Sequence, residues 1–152
     1  AAAPAPQMKH WDDCQELPYI PGVTPEFMRH LAMRWSVGGL PFTGNTSREM
    51  GGWVRLRNEV DAQPLSEAYI LALVDAWPPA LLPHLKKPAA GSTLTWTIEF
   101  VQPLLDLSTL DWCKYCVTTE HARDGYGHAA AALWSAEGKL IALSRQTVTI
   151  FA

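Results

Sequence analysis

Cysteine is scarce in this chain: Cys14, Cys113 and Cys116 are the only three among 152 residues. Three thiols do not make a secreted disulfide framework, so a reducing cytoplasm is the expected location. Basic charge is also sparse. Twelve Lys and Arg stand against fifteen Asp and Glu, for a net charge of −3, and the basic residues are scattered. That leaves no electrostatic footprint for nucleic acid. No apolar run approaches the roughly 20 residues that cross a bilayer, so no membrane partner is expected. No charged-then-apolar secretory signal is present. The sequence begins AAAPAPQ without an initiator Met, which points to a trimmed or partial chain. No segment repeats another. What the chain has in quantity is apolar residues, at 48%, with only 18% charged. A length of 152 residues then implies one globular domain with a real core.

The rest is organised around Ser66–Trp77, SEAYILALVDAW. Ser66 is placed to cap a helix, and Glu67 suits the positive end of its dipole. From Ala68 to Trp77 every residue is apolar except Asp75, with Tyr69 the only other polar tip. A helix apolar on all sides is wrapped by protein. Pro78 and Pro79 stop it, because proline lacks the amide proton and disfavours helix in the residue before it. Asp75 therefore falls near the C-terminal end of a buried helix, where desolvation and the dipole both oppose its charge. Either it turns to solvent or to a nearby backbone amide, or it is a site carboxylate with partners elsewhere.

Around this helix the chain alternates. Residues 1–25 carry five prolines and read as a linker or N-terminal arm. Phe27–Trp35 reads as a half-buried strand, residues 36–50 as a glycine-containing loop, and Gly52–Asn58 as a second strand. After the helix, PPALLPHLKKPAAG is a helical turn and a loop. Ser92–Gln102 is a long strand with Leu94, Trp96, Ile98 and Phe100 on one face and Thr93, Thr95, Thr97 and Glu99 on the other. Trp112–Glu120 and the alanine-rich His128–Ser135 follow, separated by a turn at residues 121–127. A hairpin centred on Glu137-Gly138 leads to Leu140–Phe151. One apolar helix in the order β-β-α-β-β-β-β is buried only if an antiparallel sheet curls around it, an α+β fold.

The words LALVDAW (71–77), STLTWTIEF (92–100), DWCKYCV (111–117) and DGYGHAAAALWSAEGKLIALSRQ (124–146), in this order, resemble the second half of the acyl-CoA thioesterase II family. These are tandem hotdog proteins, and the resemblance extends with weaker support over Phe27–Ala152. It implies a hotdog fold over residues 26–152, an antiparallel sheet wrapped around one long central helix, as the second of a tandem pair. The partner it implies is a second hotdog domain, in the same protein or in a homo-oligomer. The implied activity is hydrolysis of acyl-CoA thioesters in fatty acid metabolism, with acyl-CoA as substrate and no cofactor or metal. In that family an Asp, a Ser or Thr and a Gln hold the attacking water. By motif these are Asp75, Thr93 and Gln146, with Thr95 as a second choice for the hydroxyl. Two departures bear on substrate preference and rate: Thr95-Trp96 stands where the family usually has Asp-His, and Thr147-Val148 where it often has Glu-Gly. A non-catalytic hotdog half with a structural or acyl-binding role is the competing expectation.

Other constellations are weaker. Cys113 and Cys116 have the spacing of half a zinc site, but no second pair exists, and residues three apart in a strand face opposite ways. A His-Asp dehydratase site, known in other hotdog enzymes, requires a histidine beside the helix, and none is adjacent to Asp75. Lys86, Lys87, Arg123 and Arg145 are candidates for coenzyme A phosphates, although Lys86-Lys87 also reads as a solvated loop.

Overall fold

The structure, a computed structural model, describes residues 1–57 and 61–151. Its strands are β1 (Leu31–Val37), β2 (Glu49–Leu56), β3 (Ala90–Phe100), β4 (Cys113–Arg123), β5 (Tyr126–Ser135) and β6 (Leu140–Phe151). Among the described residues one α-helix, α1 (Glu67–Asp75), lies between β2 and β3. All six strands form one antiparallel sheet in the order β1-β2-β4-β5-β6-β3. The helix packs Ile70, Leu73 and Val74 onto the sheet face carrying Met33, Met50, Val54, Tyr115, Val117 and Leu133. This is the α+β hotdog arrangement expected from the sequence.

Several boundaries differ from the expected ones, each for a local reason. Phe27–His30 is not strand but part of a 3-10 turn spanning Glu26–His30. Pro25 precedes it at φ −54°, and Arg29 closes it with an i,i+3 ion pair to Glu26 at 3.2 Å. The alternation in Phe27–His30 therefore has no sheet partner, and β1 starts at Leu31. β2 begins at Glu49, inside the stretch read as loop. Gly51 and Gly52 let it lie tightly between its neighbours: a Cβ at these positions would fall 2.1 Å from the Tyr115 carbonyl oxygen and 2.0 Å from that of Arg34. Its expected end at Asn58 lies outside the described residues. Between β4 and β5 the turn contracts to Asp124-Gly125, at φ 51° and 81°, so both strands run further than expected. Positive φ at both central residues matches the twist of a two-residue hairpin.

The helix covers nine residues, Glu67–Asp75, and stops short of Trp77. Ser66 stands at its N-cap without a side-chain bond to the first turn. Glu67 is held instead by the Gln102 amide, which donates to Oε1 at 3.0 Å. The helix is not covered on every side: Ala68, Ala72 and Asp75, spaced along one face, remain exposed.

The first residues lie across the outer face of the sheet. The Trp53 and Trp134 indole N–H groups donate to the carbonyls of Lys9 and Ala3, each at 2.9 Å. Trp11 sits edge-on to Trp53 with ring centres 5.1 Å apart, and Arg34 donates to the Trp11 carbonyl at 2.9 Å. A sheet face bearing Ala32, Trp53 and Trp112 is thus shielded from water by Met8, Trp11 and Cys14.

Candidate active site

The helix, the β3–β6 pair and two loops enclose a cavity of about 570 Å³. Asp75, Thr93 and Gln146 all line it. They come from three elements that are distant in sequence.

Asp75 is the last residue of α1, and the Ala76 N–H closes the helix onto the Ala72 carbonyl at 3.1 Å. Pro78 and Pro79 then turn the chain along the cavity wall. Among the described residues, no hydrogen bond or ion pair reaches the Asp75 carboxylate. The side chain is open to water in this chain. Even so, partial burial raises its pKa above the ordinary carboxylate value. Its place at the negative end of the helix acts in the same direction. Beneath it an aromatic stack closes the floor. Trp77 lies parallel to Tyr115 with centres 4.9 Å apart, and Trp35 lies 5.0 Å from Trp77. Burial keeps the Tyr115 phenol neutral, with smaller contributions from Cys116 and Asp75.

Thr93 and Gln146 are brought together by an irregularity in the ladder. Thr93 pairs with Val148, Thr95 with Thr147 and Trp96 with Gln146, so Leu94 is an extra residue in β3. A bulge of this kind reverses which way the following side chains point. Thr93 therefore shares the inner face with Trp96, Ile98 and Phe100, while Thr95 faces outward with Thr147. The period-2 reading, with Thr93 and Thr95 on one face, is corrected, and Thr95 falls away as an alternative hydroxyl. Gln146 donates from Nε2 to Thr93 Oγ1 at 2.7 Å. The Thr93 hydroxyl hydrogen and the Gln146 Oε1 remain available to a third group. On the same face Trp96 donates its indole N–H to Ser144 Oγ at 2.9 Å.

Part of the cavity wall comes from segments read in the sequence as arm or loop, with Leu17, Pro25, Leu40, Pro41 and Phe42, and part from Phe27 and Met28, which were read as strand. Their apolar character was visible, but nothing in their spacing assigned them to a site. Among the described residues, no histidine lines the cavity, so a His-Asp pair is not assembled there. None of the four basic candidates lines it either. Arg145 is bonded to Glu120, and Arg123 pairs with Asp124 at 3.2 Å. Cys113 and Cys116 point to opposite faces, and burial pushes their thiols up to about 12 and about 11. Neither is a ready thiolate at neutral pH. No helix among the described residues is long and apolar enough to cross a membrane.

Solved structures share this architecture. A hot dog fold protein of unknown function from Alicyclobacillus acidocaldarius superposes with a TM-score of 0.82 at 23% identity, over 100% of this chain and 56% of its own. A putative thioesterase II from Thermobifida fusca gives 0.74 at 22% identity, again over 100% and 56%. An acyl-CoA thioesterase II from Mycobacterium marinum gives 0.59 at 17% identity, over 90% and 56%. The chain thus spans about half the length of the solved structures it matches. No protein of curated function matches it. The family model for the acyl-CoA thioesterase C-terminal domain matches residues 11–150, nearly the whole chain, so the chain belongs to that family.

Proposed function

We propose that this domain hydrolyses acyl-CoA thioesters with a water held by Thr93 and Gln146 and activated by Asp75. The observation carrying this reading is that the three side chains line one cavity, two of them already hydrogen-bonded. The Gln146 amide fixes the Thr93 oxygen, which leaves the threonine hydrogen free to donate and Gln146 Oε1 free to accept from water. Asp75 takes the proton as the water oxygen attacks the thioester carbonyl. The tetrahedral intermediate then expels the coenzyme A thiolate, and that proton passes to the sulfur, giving free acid and thiol. No covalent intermediate is needed. A carboxylate with a raised pKa is a better base near neutrality, and a positioned base is worth about 10²–10⁴-fold.

A second hotdog domain belongs to this reading, in the same chain or in a second copy. β3 is an edge strand of eleven residues, and Leu94 and Trp96 on it are 54% and 36% exposed. An open apolar edge invites pairing. The exposed stripe of α1 that carries Asp75 gives a covering partner a reason to sit beside the site, since excluding bulk water strengthens the electrostatics there. Action in cytoplasmic fatty acid metabolism completes the proposal.

The test is release of free thiol from a panel of acyl-CoAs by the intact protein that carries this domain. Folded protein that releases none would overturn the reading in favour of a structural or acyl-binding half. Within an active enzyme, Thr93→Val keeps volume and removes the hydroxyl. Loss of one hydrogen bond of about 1 kcal/mol is expected to lower kcat roughly five- to tenfold with KM nearly unchanged, as steady-state kinetics can establish.

A further inference from the structure

Phe42 adopts a conformation that an aromatic residue ordinarily avoids. Its φ is +64°, in the left-handed region where glycine is the usual occupant. The loop around it already uses glycine for that purpose: Gly38 and Gly44 stand at +71° and +63°. The backbone is held there firmly. The Phe42 N–H donates to the Leu82 carbonyl at 2.8 Å, Gly44 to Leu85 at 2.9 Å and Asn45 to Pro83 at 2.8 Å. At the other side Trp35 donates its indole N–H to the Gly39 carbonyl at 3.2 Å. Glycine or asparagine at position 42 would give the same loop with less strain. The phenylalanine ring therefore has a use beyond the turn, and its position supplies one: it lines the cavity that holds Asp75, Thr93 and Gln146. Strained residues held by their surroundings are a common feature of ligand clamps.

Resting on the thioesterase reading of this cavity, we infer that Phe42 sets the length of acyl chain the site accepts. The loop follows β1 at one edge of the sheet, whereas Thr93 and Gln146 belong to the β3–β6 pair at the other. The cavity they share is also lined by Met33, Trp35, Trp77 and Leu82 and is mostly apolar, which fits a hydrocarbon chain. A chain that enters with its thioester at the three polar groups meets the Phe42 ring as a fixed wall. The loop's hydrogen bonds to the 82–85 turn prevent the ring from yielding by backbone movement.

Two substitutions of opposite sign test this in the intact protein. Phe42→Gly removes the wall and relieves the backbone; Phe42→Trp advances the wall. The readouts are kcat/KM over straight-chain acyl-CoAs from four to sixteen carbons, and Kd for the matching thioether analogues, which cannot be hydrolysed. The glycine variant is expected to move the preferred chain longer by two carbons or more, raising the long-to-short ratio at least about tenfold, the effect of a methylene or more in an apolar pocket. The tryptophan variant is expected to move it shorter. Profiles that keep the parent's shape in folded variants overturn the inference, and so does a uniform weakening across all lengths. If the glycine variant does not fold, the tryptophan variant decides. Length-dependent analogue binding that shifts as expected, without hydrolysis by the parent, would uphold Phe42's role and sink the proposed chemistry instead. Absence of analogue binding by the parent overturns both.

Discussion

Replacing Asp75 by Asn is expected to lower acyl-CoA turnover by about 10²–10⁴-fold, the usual contribution of a positioned general base. The substitution keeps the shape of the side chain and removes only its capacity to take a proton. KM should change little, because the carboxylate acts on the water and not on the bound acyl group. Folding should not suffer. Burial raises the Asp75 pKa in the folded state above its ordinary value of 3.8. The folded protein then holds this proton more tightly than the unfolded chain does. Ionising Asp75 therefore opposes folding progressively as pH rises from the unfolded value through the raised folded one, and an amide escapes that cost. The Asn variant should match or exceed the parent in chemical unfolding at neutral pH. In the parent, kcat should rise with pH through the raised pKa, since only the ionised form accepts a proton. Unchanged turnover in the folded Asn variant would remove Asp75 as the base. A variant that was both inactive and strongly destabilised would assign it a structural role.

A large loss of stability is expected from truncating Leu73. This side chain is 1% exposed and lies on the buried face of α1, in the same cluster as Met50, Val54, Tyr115 and Leu133. Leu73→Ala is expected to cost about 2–5 kcal/mol, through lost transfer energy and the void left where packing cannot collapse. Typical domains have only about 5–15 kcal/mol in total, so the change is a large fraction of the whole. Urea titration should show it as a lower midpoint at nearly unchanged slope. The same substitution disturbs the site indirectly. Leu73 lies two residues from Asp75, and α1 is a nine-residue helix held by packing more than by its own propensity. Activity lost in proportion to the folded fraction would fit a packing role. A variant within about 0.5 kcal/mol of the parent would show that α1 is not seated on the sheet as described, since changes that small belong to surface positions.

The fold was largely legible in the sequence because most of its determinants are local. Pro78-Pro79 stops the helix, Asp124-Gly125 and Gly138 make the hairpin turns, and alternation marks strands such as β2 and β6. One apolar helix among six strands leaves an antiparallel sheet few ways to bury it. Of the candidate site residues, Asp75 stood out as the one carboxylate in an apolar helix, whereas Thr93 and Gln146 were legible only by resemblance, since a lone threonine in a strand carries no signal of its own. What brought Thr93 to the inner face was decided by tertiary structure. The extra residue at Leu94 exists only in the pairing of β3 with β6, and period-2 alternation cannot register it before that pairing forms. The raised pKa of Asp75 likewise depends on neighbours folded around it, because desolvation is a property of the assembled surroundings. The same holds for the cavity wall. Leu40 and Phe42 lie in a segment without periodicity, and long-range hydrogen bonds and packing place them against residues dozens of positions away.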